Sequence, residues 1–336
     1  MKVAVVIPTL NARELLLRCL ESLDRQTRAA DEIVVVDNAS SDGTADAVVE
    51  RHPHVRVLGN ERNLGFGAAI NRAALSLDAD VLVLVNNDVV CEPTFLERLV
   101  APLAQPEVGM VAGVLVQAAH PERVDSAGIE LDVTLRSWDV LWNRPLEELA
   151  NARAPVGPCG GAAAYRLPPF QEAGGFDEAL FAYWEDVDLA LRLHAAGWRT
   201  ALAADARAVH AHGQTLGAAS PAARRLDAFG RGYVLAKYRV ARGRPLTAVQ
   251  IALLDWPALA VHLVVRRELG PWRERLRARR RGLAVAPHRP PLELATVRFG
   301  EALRRQYALL ALRFTGGLPE HFAAPGRRAG RRGARR

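Results

Sequence analysis

Three short apolar runs, Val3 to Ile7, Ile33 to Val36 and Val81 to Val85, are rich in β-branched residues, and polar residues follow each at once. Runs of this length without alternation predict strands buried on both faces, as in a parallel sheet. Between them the pattern turns helical. Asn11 and Glu14 have the spacing of a helix start, and Leu15, Leu16, Cys19, Leu20 and Leu23 make one apolar stripe down to Gln26. Ser40 to Gly43 predicts a turn into a short helix through Val49, and another helix is expected over 66–77. This alternation implies right-handed crossovers and an α/β, doubly wound sheet. Ligands of such sheets sit at the carboxyl ends of the strands, here Pro8-Thr9-Leu10-Asn11, Asp37-Asn38-Ala39-Ser40 and Asn86-Asn87-Asp88.

The region 110–165 is less regular, with a strand expected over Met110 to Val116 and loops around Asp125-Ser126-Ala127-Gly128 and Trp138 to Arg144. A helix is predicted from Phe181 to Ala196, stopped by Gly197, and then a strand through Val209 to His212. Beyond about residue 215 the pattern predicts helices over 224–242 and 298–313 and a Gly/Arg tail too polar to fold alone. The segment 245–265 is long enough to cross a bilayer, but Gln250, Asp255, Pro257 and His262 interrupt it. Three readings stay open for it: a packed core helix, a helix lying in a membrane interface, or a spanning helix.

Half of the 336 residues are hydrophobic and 24% are charged, which excludes both a chain disordered throughout and a polytopic membrane protein. Cys19, Cys91 and Cys159 form no CxxC pair, against a disulfide framework or a Cys-based zinc site. The N-terminal apolar run is too short for a signal peptide, so a cytoplasmic location is expected. The formal charge of +7 is uneven: residues 266–336 hold 19 Arg against 5 acids, and the rest is net acidic. That asymmetry suggests an anionic partner for the C-terminal part, such as the inner face of the cytoplasmic membrane. Nucleic acid is disfavoured, because the Arg clusters lack an aromatic platform or a groove-reading helix.

Several positions have the chemistry of a site. Asp37 ends a strand where a carboxylate can accept hydrogen bonds from a pyrimidine imide or a ribose, or can cap the Ser40 turn. Asn63, Gly65 and Gly67 form a loop before a helix, suited to close approach of backbone to phosphate. His210 and His212 lie two apart on one strand face. Asp188 has Arg192 four residues on, the spacing of a helix ion pair. The segments 5–11 (VVIPTLN), 32–44 (EIVVVDNASSDGT), 63–67 (NLGFG), 85–88 (VNND) and 185–192 (EDVDLALR) together resemble family-two inverting glycosyltransferases of the GT-A fold, in particular their rhamnosyltransferase-like branch. The likeness runs from about residue 3 to 215.

The resemblance implies a GT-A, Rossmann-like nucleotide-diphospho-sugar transferase domain at 1–215; beyond it the residue pattern predicts a helical basic extension at 216–321, a candidate for membrane association, and a disordered tail at 322–336. It implies inverting transfer of a hexose or deoxyhexose from a UDP- or dTDP-sugar to a saccharide or lipid-linked saccharide in cell-surface polysaccharide assembly. By the same likeness Pro8, Thr9, Asn11, Asp37, Asn38, Asn63, Gly65 and Asn87 hold the nucleotide-sugar, and Asp88, His210 and His212 hold Mg2+ or Mn2+. Asp186 is the catalytic base with Glu185 beside it, and Gly160, Gly161, Tyr183 and Trp184 face the acceptor. Two rivals remain at this stage. One is a noncatalytic nucleotide-sugar binder; the other, a dinucleotide-dependent oxidoreductase, needs a Gly-rich turn after the first strand, and Pro8-Thr9-Leu10-Asn11 provides none.

Overall fold

The computed structural model describes residues 1–211, 220–288 and 292–315; His212 and the 322–336 tail lie outside them. The N-terminal part runs β1 (Val3–Thr9), α1 (Arg13–Asp24), β2 (Glu32–Asp37), α2 (Thr44–Arg51), β3 (Arg56–Gly59), α3 (Phe66–Ala74) and β4 (Val81–Val85). β1 pairs in parallel with β2 and β4, and β2 with β3. Every residue of β1 and of β4 is buried, because helices cover both faces. Val3, Val5 and Ile7 meet Leu16 and Leu20 of α1 on one side, while Val6 packs with Ile70 and Ala73 of α3 on the other. Successive side chains of a strand point to opposite faces, so continuous apolarity is what a doubly covered strand requires.

The chain continues as β5 (Val89–Cys91), α4 (Phe95–Val100), β6 (Val108–Gln117), β7 (His120–Ser126), β8 (Ile129–Asp132), β9 (Ser137–Asp139), β10 (Ala162–Arg166), α5 (Leu167–Glu172), α6 (Glu185–Ala195) and β11 (Arg199–His210). The main sheet has the order β3-β2-β1-β4-β10-β6-β11-β5, with β7 beside β6. It is mixed, not parallel throughout. The chain before β10 lies at the carboxyl edge of the parallel strands, so β10 enters the sheet from that edge and pairs antiparallel with both β4 and β6. This places Gly160 and Gly161 beside the end of β4, with Ala162 opposite Val85.

The C-terminal part comprises α7 (Pro221–Lys237), α8 (Pro245–Ala260), α9 (Gly270–Ala284), β12 (Ala295–Val297) and α10 (Phe299–Thr315). β12 joins β8 and β9 in a second, three-stranded sheet. Much of the basic character here is used internally. Lys237 lies 2.7 Å from both Asp177 and Asp188, and Asp188 also meets Arg192 at 2.8 Å, as its helical spacing predicts. Arg231 is fully buried between Asp255, at 3.3 Å, and the Thr134 carbonyl, at 2.7 Å. Buried charges persist only when paired in this way.

Two expectations change. The helix expected from Phe181 begins at Glu185, since Tyr183 and Trp184 adopt left-handed backbone angles (φ 67° and 76°) that end any continuous helix there. The segment over 245–265 is α8 followed by a π-helical turn, and it is not a packed core helix. Leu246, Trp256 and Val264 are 71%, 62% and 74% exposed, while the interrupting Asp255 and His262 are buried.

Candidate active site

The carboxyl ends of β1, β2 and β4 converge as their sequence position predicts. Asp37 accepts from the Ser40 amide, at 3.2 Å to each oxygen, and from the Ser40 hydroxyl. It therefore caps the turn, and the capping fixes one orientation while leaving lone pairs for a ligand. Thr9, opposite Asp37 in the register, accepts from the Asn87 amide at 3.0 Å, which joins the ends of β1 and β4. Pro8, buried beside it, continues β1. Asn11 is not the cap of α1, a position held by Ala12; its carbonyl oxygen accepts from the Ser41 amide at 2.8 Å and ties the two strand-end loops together.

The 60–65 loop is built differently from the phosphate cradle expected of it. Asn38 accepts from Asn60 at 2.8 Å and from the Leu64 amide at 3.2 Å, and Asn63 accepts from the Gly65 amide at 2.9 Å. The Phe66 amide donates to the Phe181 carbonyl at 2.8 Å. Gly65 has φ +90°, and a Cβ there would collide with that same carbonyl. The close approach that requires glycine is thus to residue 181 of the same chain, and the amides of Gly65 and Phe66 are committed within the chain.

At the end of β4, Asp88 faces His210 of β11, whose Nε2 lies 3.3 Å away. The Nδ1 of His210 lies 2.6 Å from Asp125 at the end of β7. All three side chains are largely buried. Burial opposes a charge on His210, but hydrogen bonds and charge from Asp125 and Asp88 outweigh it and hold the imidazole up to about 9. Asp125 is a site residue that sequence reasoning left in a loop; no local signal says that the β6–β7 hairpin returns it to β11. Asp88 and the Nε2 of His210 form a donor pair that fits a divalent cation such as Mn2+, while Asp125, on the other ring nitrogen, fixes the orientation of the imidazole. A second cluster, Asp24, His52 and His54, sits where α1 and α2 end, at the opposite edge of the sheet from Asp88.

Glu185 and Asp186 open α6. Burial pushes the Asp186 carboxyl up from 3.8 to about 6, against the stabilising amides of Val187 and Gly160. Glu185 is only 6% exposed, and burial together with the neighbouring charge raises it well above the usual range. Two adjacent carboxyls in such unequal settings divide their roles: the more deeply buried Glu185 keeps the proton, and Asp186 ionises near neutrality. The Glu185 Oε2 atom is buried with no partner, a polar group awaiting one among the described residues.

Gly160 and Gly161 link the two halves of the cleft. The Gly160 amide supports Asp186, and a Cβ on Gly161 would press within 3.1 Å of the Asn86 side chain. Cys159, the residue before them, is half-buried. The carboxyl pair and the end of β4 are thus joined through Gly160, Gly161 and Asn86. Tyr183 and Phe181, at 37% and 38% exposed, stand open to solvent. Trp184 does not: it is buried, donates to Asp227 of α7 at 2.9 Å and lies against Gly230. The acceptor-facing role expected of Trp184 is corrected to a core contact, because α7 covers it.

The family model "Glycosyl transferase family 2" matches residues 4–173, half of the chain. An N-acetylglucosaminyl-diphospho-decaprenol L-rhamnosyltransferase of Mycobacterium tuberculosis is 31% identical over 220 residues, covering 57% of this chain and 70% of the relative. The O-antigen chain rhamnosyltransferase RfbN of Salmonella typhimurium is 27% identical over 218 residues, with 64% and 68% covered. In fold, the chain is similar to a mannosyltransferase from Pyrobaculum calidifontis in complex with GDP-Man and Mn2+, at a TM-score of 0.54 and 22% identity over 96% of this chain and 81% of that one. Motifs at the strand ends, the mixed sheet and these relatives agree: the chain belongs to glycosyltransferase family 2, in its rhamnosyltransferase-like branch, and has the GT-A fold.

Proposed function

We propose that the protein transfers a rhamnose-like deoxyhexose or a hexose, with inversion, from a dTDP- or UDP-sugar to a saccharide carried on a lipid diphosphate. The observation that carries this reading is the carboxyl pair Glu185/Asp186, with Asp186 poised at about 6 and supported by the Gly160 amide, while the adjacent Gly161 packs on Asn86, two residues before Asp88. Asp186 takes the proton of the acceptor hydroxyl as that oxygen forms its bond to the anomeric carbon and the nucleoside diphosphate leaves from the opposite face. Glu185, neutral and with its Oε2 atom unpartnered, donates to or accepts from the acceptor and orients it. Asp37, Thr9 and Asn87 hold the nucleoside. Asp88 and His210 would hold a divalent cation, with Asp125 orienting the imidazole, and that cation would neutralise the departing diphosphate. The Mn2+ named with the Pyrobaculum mannosyltransferase supports that choice of ion.

The same reading places the enzyme on the inner face of the cytoplasmic membrane. Support comes from the inverted polarity of α8 and its π-helical turn, with Asp255 and His262 turned inward and Leu246, Val249, Trp256 and Val264 turned out. A noncatalytic nucleotide-sugar binder remains the rival, and a single experiment separates them. Nucleoside diphosphate release is measured from a panel of nucleotide sugars with Mn2+ and a lipid-linked N-acetylglucosaminyl diphosphate, in wild type and Asp186→Asn. Release that depends on the acceptor and disappears in the variant supports transfer; donor binding without turnover on any acceptor supports the binder.

A further inference from the structure

A groove of about 1240 Å³ lies away from the nucleotide end of the cleft, between the β8–β9 hairpin and α10. We propose that this groove receives the diphosphate of the lipid-linked acceptor, with Arg153 and Arg304 as its cation pair. The proposal deepens the transfer reading above and rests on it for the identity of the acceptor.

The charges in the groove sort themselves. Arg305 is taken by Glu130, at 2.5 Å, and by Glu301, and Arg144 by Glu148 at 2.8 Å. Arg136 lies over the Trp138 ring and reaches toward Asp255. Arg153 and Arg304 remain exposed and make no ion pair among the described residues. Guanidinium groups bind phosphate oxygens through paired N–H donors, and two of them suit a diphosphate better than a single anion. The groove also has aromatic surface: Trp142 is half-buried and Tyr307 is 46% exposed, which fits the faces of a sugar ring or the first isoprene units beside the diphosphate.

One wall of the groove leads toward the carboxyl pair. Asp139 lines the groove and pairs with Ile129, Ile129 bridges to Gly157, and three residues on, the Gly160 amide supports Asp186. A saccharide attached to a diphosphate in the groove thus extends toward the base along the Cys159–Gly160 wall. The donor's own diphosphate is the other source of the same chemistry, and its place is at Asp88, beyond that wall.

The test uses the full chain and calorimetry with farnesyl diphosphate, farnesyl phosphate, inorganic pyrophosphate and UDP. Farnesyl diphosphate is expected to bind wild type more tightly than farnesyl phosphate or pyrophosphate, and to bind in the presence of saturating UDP and Mn2+. The double variant Arg153→Gln/Arg304→Gln is expected to lose about tenfold or more in affinity for it, with UDP affinity unchanged, while Arg153→Lys/Arg304→Lys recovers part of the loss. Equal affinity in wild type and the Gln variant, or full displacement by UDP, overturns the proposal. Failure of the transfer reading looks different: farnesyl diphosphate binds as stated, yet no sugar reaches any lipid-linked acceptor.

Discussion

Asp186 is held ionised in a place that resists its charge, and the cost of that can be measured. A carboxyl raised from 3.8 to about 6 binds its proton more tightly folded than unfolded. Stability is therefore greatest below the unfolded value, falls as pH rises through the interval between the two, and stays reduced above about 6. The full shift corresponds to about 3 kcal/mol, and partial solvent access at Asp186 lowers this to about 2 kcal/mol. Asp186→Asn keeps the shape and still accepts the Val187 and Gly160 amides, but it removes the charge. We expect it to unfold at a temperature about 3 °C higher than wild type near pH 7.5. Near pH 4.5, between the two values, the gap is expected to narrow to about a third. Transfer in the same variant falls by about 10²–10⁴-fold, the usual contribution of a general base. Scanning calorimetry at the two pH values, with the activity assay beside it, is the measurement. A variant no more stable at neutral pH, or a difference that does not depend on pH, refutes the electrostatic part of the reasoning.

Three further outcomes are expected. Asp125→Asn removes a charge that holds His210 in place, and calorimetric Mn2+ affinity is expected to fall about 10–100-fold while the fold, by circular dichroism, persists. Lys237→Met leaves Asp188 and Asp177 without their shared cation and is expected to cost about 3 kcal/mol in urea unfolding, because a buried pair is broken from one side; an unchanged midpoint counts against α7 as the anchor of α6. Gly65→Ala puts a methyl group against the Phe181 carbonyl at a positive φ, so nucleotide-sugar KM is expected to rise along with a stability loss of about 1–3 kcal/mol, and a neutral substitution contradicts the contact.

How much of this was legible without coordinates follows from where each signal sits. β1, β2 and β4 announce themselves because burial on both faces leaves an unbroken apolar run, and the polar residues after them sit at the carboxyl edge by topology alone. Asp88, His210 and Asp186 were readable as motif positions. Their neighbours were not, since Asp125 comes from a hairpin and Cys159 from an irregular loop, and neither is marked by spacing. Gly65 was visible as a loop glycine, but its partner, Phe181, is distant in sequence, so a phosphate seemed the natural visitor. Trp184 looked like an acceptor-facing residue, but α7, a helix of the basic extension, supplies Asp227 and Gly230 to cover it. In α8 the polar residues read as flaws in an apolar segment; Asp255 instead faces Arg231 and Arg275, and the apolar side is the one left outside.

The central claim is that Asp186 takes the acceptor proton in a glycosyl transfer. Mass spectrometry of a lipid-linked N-acetylglucosaminyl diphosphate, incubated with the enzyme, Mn2+ and candidate dTDP- and UDP-sugars, tests it most directly. The account predicts a gain of one sugar residue from at least one donor with wild type and none on the same timescale with Asp186→Asn. Equal sugar addition by the variant, or no addition from any donor that binds, contradicts it.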